Sequence, residues 1–345
     1  MLRFRDQPAA SPMTHAARIL ASAARDPCAV IRELGGDPGA VMRAAGIDPA
    51  AVEGPEGAVP LAAYVALGQE AAARLRAPHF GHLAGWRFDI ANLGEAGEAA
   101  LRAPRLGAAL RLLSAAFDAV QGQSELRLDV SADAARLSYR ILDPAIWPRD
   151  QDAELTLGVL AGLLGRVAGP GWRPASLEFE HGPNGSEARA CAARGPARWR
   201  AEANAIVFSP RLLDLPMPEA DASAFQPLAL RLGEAARRIE AATPLTLRVR
   251  VAIFRRLGRG ATDQAAIGRA LGLSERTLRR RLEAEGAAFH DLLWECREAL
   301  ARRLLAGGFS TAEAAERLGY SEASAFERAF RRRAGAGPAA FRRPV

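Results

Sequence analysis

The chain has 345 residues, 49% hydrophobic and 25% charged, which is enough for two domains that each bury a core. That balance excludes a disordered chain and a small disulfide scaffold. The uncharged, largely apolar stretch Leu155 to Gly165 is eleven residues, against the roughly 20 that a membrane-spanning helix needs. All 46 basic residues are arginine, so chemistries that depend on a P-loop, Schiff-base or Ser-Lys lysine are excluded.

Charge interrupts the N-terminus (Met1-Leu-Arg-Phe-Arg-Asp) before any apolar signal region can form. Residues 1–12 are expected to be a flexible tail, and the chain is expected in the cytoplasm. The three cysteines, Cys28, Cys191 and Cys296, are odd in number and far apart, which fits reduced buried thiols rather than a disulfide framework or structural zinc.

From 13 to 240 the pattern is mixed α+β. Helical periods run through Met13 to Ala24, Ala29 to Leu34, Leu61 to Arg74, Leu93 to Ala103, Pro104 to Val120, Gln151 to Ala168 and Ala222 to Glu240. Leu126, Leu128 and Val130, then Leu137, Tyr139 and Ile141, alternate about a Ser131-Ala-Asp turn and predict a hairpin. Further strands are expected at Ser176 to Glu180 and Ala205 to Phe208.

No catalytic constellation emerges in this part. His79 and His82 stand at i, i+3, but no ligand at metal spacing completes a set. Cys191 and His181 could form a nucleophile and base, but Ala190-Cys191-Ala-Ala reads as a helix face. No cofactor motif is present. The stretch Trp147-Pro-Arg149-Asp150-Gln-Asp152-Ala-Glu154 admits two readings. In one, Trp147, Arg149 and Glu154 form a pocket wall for a charged ligand, with Trp86 and Phe88 lining the same cavity. In the other, Asp150 caps a helix whose positive end Asp152 and Glu154 complement.

The basic charge is C-terminal. Up to Thr243 there are 26 arginines against 28 acidic residues, a net of −2; the last 102 residues hold 20 against 11, a net of +9. A basic block of domain size is the footprint of a polyanion, nucleic acid first. Within it Leu271-Gly-Leu-Ser-Glu275 recurs as Leu318-Gly-Tyr-Ser-Glu322, 47 positions on. Each copy reads as a short helix ended by glycine, then a second helix with Ser274 or Ser321 at its N-cap position. This is a helix-turn-helix layout.

In the first copy Leu278 and Leu282 turn inward, which leaves Arg276, Arg279 and Arg280 outside. In the second, Phe326 and Phe330 turn inward and leave Ala323, Ser324, Glu327 and Arg328 outside, followed by Arg331 to Arg333. Arginine forks read guanine, Glu accepts from cytosine, and Ala meets a thymine methyl. The terminal arginines suit phosphates. Between the copies, Phe289, Leu292, Leu293, Cys296, Ala299, Leu300 and Leu304 form one amphipathic face. A helix of about 17 residues spans roughly 25 Å. It can therefore hold two recognition helices near the ~34 Å spacing of successive major grooves.

The runs Ile267 to Leu282, Phe289 to Arg297, Ala314 to Phe330 and Gly337 to Arg342 resemble the DNA-binding domain of AraC/XylS-type regulators over about 100 residues. The stretch Arg194 to Pro210, with the Trp147 to Gly158 region and Phe179 to His181, resembles more diffusely the ligand-binding domain of the ornithine- and virulence-regulator branch. The resemblance implies an α+β sensor domain at 13–240, often with dimerisation. An all-α DNA-binding domain at 241–345 follows, with helix-turn-helix motifs near 262–284 and 310–333 joined by a linker helix near 288–306. It places base reading on Arg276, Arg279, Arg280, Ala323, Ser324, Glu327 and Arg328, and phosphate contacts on Ser274, Thr277, Arg331, Arg332 and Arg342. Ala323 is small where many relatives carry a longer polar side chain.

The expectation is a ligand-responsive, sequence-specific activator of a catabolic operon, not an enzyme. Its partners would be double-stranded promoter DNA, a small effector such as an amine or amino acid, RNA polymerase and a second copy as homodimer, with no membrane partner. Two other readings stay open. One is an architectural protein without sequence preference. The other is a DNA-modifying enzyme similar to methyl-acceptor repair proteins, although their reactive Pro-Cys-His-Arg setting is absent around Cys191.

Overall fold

The computed structural model describes residues 17–53, 57–183 and 194–341. The expected tail at 1–12, Cys191 and Arg342 lie outside them. In chain order the N-terminal part runs β1 (Arg18–Leu20), α1 (Arg25–Glu33), α2 (Pro38–Ala44), α3 (Ala50–Glu53), β2 (Ala58–Pro60), α4 (Leu61–Arg74), α5 (Phe80–Arg87), α6 (Glu95–Arg102) and α7 (Leu106–Val120). It continues through β3 (Ser124–Val130), β4 (Ala135–Ile141), α8 (Asp150–Ala168), β5 (Ser176–Glu178), β6 (Ala197–Arg198), β7 (Asn204–Phe208) and α9 (Ala222–Ala242). The C-terminal part is helical: α10 (Leu245–Arg256), α11 (Gln264–Ala270), α12 (Glu275–Ala284), α13 (Phe289–Ala306), α14 (Thr311–Arg317) and α15 (Ala323–Ala334).

The expected hairpin forms. Ser131 closes its turn by accepting from the Ala134 N–H at 3.1 Å, and the register sets Leu126 against Tyr139 and Leu128 against Leu137. The five-stranded sheet has the order β3-β4-β7-β5-β6, antiparallel except for β5 with β6. Its β5 ends at Glu178, two residues short of expectation. A separate antiparallel pair joins β1 and β2. Residues 17–24, expected to continue a helix from Met13, instead form β1 and a short 3-10 turn. Pairing with β2 outweighs the local helical period there.

Helix α8 is buried nearly all round from Gln151 to Leu164. It crosses α5 at glycines: a Cβ at Gly81 would meet the Gln151 carbonyl oxygen at 2.1 Å, and one at Gly85 the Leu155 oxygen at 2.2 Å. The two backbones therefore touch where side chains would normally intervene. Asp150 does not cap α8. Arg149 holds the N-cap position, and Asp150, already in the first turn, accepts from Gln69 Nε2 at 2.7 Å.

Among the described residues three hydrophobic cores result. The first fills the N-terminal part. The second gathers Val249, Ile253, Ile267, Leu278, Leu282, Leu292 and Cys296, and takes in Leu142 from the end of the β-hairpin. The third gathers Leu304, Leu305, Phe309, Leu318, Phe326 and Phe330. Helix α13 supplies buried residues to both of the last two, so one rigid rod fixes the two helix-turn-helix units relative to each other. Among the described residues, no helix is long and apolar enough to cross a membrane.

Candidate nucleic-acid interface

Both helix-turn-helix units are built the same way. Gly272 and Gly319 sit at φ +69° and +77°, a left-handed conformation that costs glycine little. Around the first, the Leu273 N–H bonds Gly268 O at 2.8 Å and the Gly272 N–H bonds Arg269 O at 3.1 Å. Around the second, Tyr320 and Gly319 repeat the pattern to Ala315 and Glu316 at 3.0 and 2.9 Å. These are Schellman closures, which satisfy the last carbonyls of α11 and α14 and turn the chain.

The second helices start differently. Ser274 caps α12, its hydroxyl accepting from the Thr277 N–H at 3.2 Å and meeting Thr277 Oγ1 at 2.8 Å. Ser321 makes no such cap. Helix α15 begins one residue later, with Glu322 at the N-cap and its carboxylate accepting from Ser324 Oγ at 3.1 Å. The capping box of this unit lies upstream, where Ser310 and Glu313 bond each other's backbone at the start of α14.

Leu278, Leu282, Phe326 and Phe330 are buried. Arg276, Arg279 and Arg280 are exposed on α12, as are Ser324, Glu327, Arg328, Arg331 and Arg332 on α15. Arg279 reaches Glu275 at 3.4 Å. Ala323, expected outside, is half-buried against the third core, because the late start of α15 turns its first residue inward. Arg333 also leaves the outer face: it bonds Asp291 at 3.2 Å and His290 Nδ1 at 2.8 Å and lies over Trp294.

Helix α10, absent from the sequence reading, has Pro244 at its N-cap position and no side-chain cap of its own. The Glu285 carboxylate, from the end of the first unit, accepts from the Leu245 and Thr246 N–H groups at 3.0 and 2.9 Å. The Cys296 thiol is pushed up to about 12 by burial, which fits a core residue rather than a reactive one.

The N-terminal candidates separate. Trp147 and Arg149 line a cavity of about 280 Å³ between the two parts of the chain. Glu154 does not line it; it is buried in α8. Trp86 and Phe88 do not share it either. Trp86 packs under Arg194 and beside His82, and Phe88 faces a small cleft with Tyr64 and Thr156. The single cavity expected for all five residues is therefore shared by Trp147 and Arg149 alone. Burial lowers His82 to about 4, and among the described residues no three His, Cys, Asp or Glu side chains gather as metal ligands.

Inside the cavity Arg149, 4% exposed, holds Glu180 through two bonds of 2.5 and 2.9 Å and donates to Ile141 O at 2.7 Å. Burial alone would raise Glu180, but Arg149, aided by Arg303 and Arg140, draws its carboxyl down to about 2. Arg140 and Arg303 were not singled out from the sequence. One sits on a strand and the other on a linker helix, and no local pattern marks either.

Residues 35–217 match the N-terminal arabinose-binding domain of AraC transcription regulators, and residues 267–344 match a helix-turn-helix domain. The chain is similar to the HTH-type transcriptional regulator VirS of Mycobacterium tuberculosis, 32% identical over 303 residues, covering 84% of this chain and 86% of that one. Among solved structures it matches the transcriptional regulator CdpR of Pseudomonas aeruginosa at 25% identity and a TM-score of 0.43, over 90% of this chain and 96% of that chain. The two domain matches and the likeness to VirS lead to one assignment: the chain belongs to the AraC family and is a DNA-binding transcriptional regulator of that type.

Proposed function

We propose that the chain is a ligand-responsive activator that reads promoter DNA by sequence and controls a catabolic operon. Residues 13–240 act as the sensor and 241–345 as the reader. Arg276, Arg279 and Arg280 meet bases in one major-groove segment, and Ser324, Glu327 and Arg328 meet bases in the next. Ser274, Thr277, Arg331, Arg332 and Arg342 hold phosphates. Ala323 contributes little, since it packs inward. Activation adds contacts to RNA polymerase, and a homodimer would place two such readers on one operator.

The observation that carries this reading is the rigid pairing of two exposed, arginine-bearing recognition helices on α13, an 18-residue helix that measures about 27 Å at 1.5 Å per residue. An effector acts in such a protein only if it binds the DNA-competent state with a different affinity from the other. The test is quantitative binding to the DNA upstream of the neighbouring operon and to a scrambled duplex, at two salt concentrations, with and without a metabolite panel. Specific binders discriminate by about 10³ or more. Equal, salt-sensitive binding to both duplexes, unmoved by any metabolite, would replace this reading with an architectural one.

A further inference from the structure

The cavity that Trp147 and Arg149 line has walls from both parts of the chain. The N-terminal wall is the end of β4 and the loop to α8; the C-terminal wall is Phe254, Leu257, Leu300, Arg303, Leu304 and Phe309. Its acids are committed or turned to the surface. Glu180 spends both oxygens on Arg149, Glu202 pairs with Arg259, and Glu316 is exposed. Arg317 donates to the Ala201 and Arg200 carbonyls at 3.0 and 2.7 Å.

Two guanidiniums near Glu180 are incompletely satisfied. Nη1 of Arg140 and Nε of Arg303 are buried with no hydrogen-bond partner among the described residues. Burial, reinforced by the neighbouring guanidiniums, draws Arg140 down to about 10 and Arg303 to about 9, so both still carry charge at neutral pH. Glu180 is already doubly bonded to Arg149, and a buried guanidinium that keeps an unsatisfied N–H is costly. The guanidinium carbon of Arg303 lies 4.7 Å from the centre of the Trp147 ring, a cation–π contact that helps hold it at the cavity wall. Cations on one side and leucine and phenylalanine on the other describe a site for an anion with an apolar body.

We propose that this interdomain cavity binds a small organic carboxylate, its oxygens held by Arg140 and Arg303 and its body packed against Phe254, Leu257 and Leu304. A bare amine is repelled by the same guanidiniums. The carboxylate of an amino acid meets the requirement. Because the occupant touches both parts, it favours the arrangement in which they are docked. Its effect on DNA rests on the ligand-responsive reading above, while its binding does not.

The test uses the full chain at constant ionic strength and three probes: phenylacetate, its neutral isostere phenylacetamide, and inorganic phosphate. Calorimetric titration and thermal melting are the readouts. Phenylacetate should bind once per chain and raise Tm, with phenylacetamide at least about tenfold weaker. Arg303→Gln and Arg140→Gln should each lower phenylacetate affinity at least about tenfold. In ligand-free buffer each variant should melt at or above the parent temperature, since a buried, incompletely hydrogen-bonded charge crowded by other guanidiniums is gone while Arg149 still holds Glu180.

The proposal is overturned if neither anion binds at about 10 mM, if the neutral probe binds as well as the charged one, or if phosphate binds as tightly as phenylacetate. It is equally overturned if both variants melt lower in the absence of ligand, which would make the two arginines structural. Phenylacetate binding that leaves DNA affinity unmoved keeps the site and overturns the regulatory reading.

Discussion

The division of the arginines into base readers and phosphate holders gives the sharpest test. Arg276 and Arg280 stand one turn apart on the exposed face of α12, and among the described residues no ion pair engages either, whereas Arg279 is shared with Glu275. Arg280→Ala therefore removes a free fork, worth about 1 to 3 kcal/mol of discrimination if it bridges a guanine. That is a loss of roughly 5- to 150-fold on the cognate duplex, with a smaller loss on a scrambled one. Arg332 lies in the last turn of α15 and is exposed. Arg332→Ala removes one phosphate contact, so the slope of log K against log salt should flatten by about 0.9. Between 50 and 200 mM salt, that changes the ratio of parent to variant affinity by about 3.5-fold on any duplex. Fluorescence anisotropy on cognate and scrambled duplexes across a salt series measures both effects. If the two substitutions weaken cognate and scrambled DNA by the same factor and with the same salt slope, the division is wrong.

Three further outcomes follow from the interior. Burial raises Asp152 to about 6, with the Tyr139 hydroxyl at 2.7 Å and Arg149 pulling the other way, so between pH 4 and 6 the folded chain holds a proton that the unfolded chain releases, and stability falls as pH rises through that window. Asp152→Asn should accordingly stabilise at pH 7.5 by up to about 3 kcal/mol and show no gain below pH 4, and urea titrations giving identical midpoints at pH 7.5 would refute this. Gly85→Ala places a Cβ 2.2 Å from the Leu155 oxygen, so α5 and α8 must separate, at a cost of at least about 1 to 3 kcal/mol; an unchanged melting temperature would contradict the close crossing. Cys296, buried and pushed up to about 12, should resist thiol reagents at pH 7 until the second core unfolds, and rapid labelling of the native chain at this position would show that core to be open.

The parts legible in the sequence are those whose signals are local. Gly272 and Gly319 mark two left-handed turns, Ser274 marks a cap, and leucines or phenylalanines four apart mark each buried stripe. Helix α4 is bounded as read, Leu61 to Arg74, because Pro60 and a clear apolar period frame it. Helix α5 escaped because its buried face is partly glycine, Gly81 and Gly85, which carries no hydrophobic period. Helix α10 escaped because Leu245, Leu247, Val249 and Val251 alternate as in a strand, and because its N-terminus is satisfied by Glu285, 40 residues along the chain. Ser321 misled because the same Leu-Gly-x-Ser-Glu string starts its helix one residue later in the second copy. The cavity was half visible. Trp147 and Arg149 stand in one conspicuous stretch, but Arg140 and Arg303 meet only when β4 and α13 are brought together.

That meeting bears on how a signal could travel. Contacts between the two parts include Leu142 in the second core, Arg255 paired with Glu125 at 3.1 Å, Arg259 with Glu202, Arg303 over Trp147, Arg200 over Phe309, and Arg317 on the backbone after β6. Among these contacts lie two buried guanidiniums that each keep an N–H without a hydrogen-bond partner among the described residues, which opposes docking when the cavity holds only water. An anion there removes the opposition, and its preference for the docked state is then set by charge rather than by area. A tenfold preference is worth about 1.4 kcal/mol, comparable to one good charge-assisted hydrogen bond. Arg303 projects from α13, the helix that also supplies Leu292 and Cys296 to the core beneath α12 and Leu304 and Leu305 to the core beneath α15. A displacement of that helix cannot reach one recognition helix without the other. An effector that held α13 against the sensor would therefore set the spacing of both readers at once, and whether it activates or releases depends on which spacing the operator accepts.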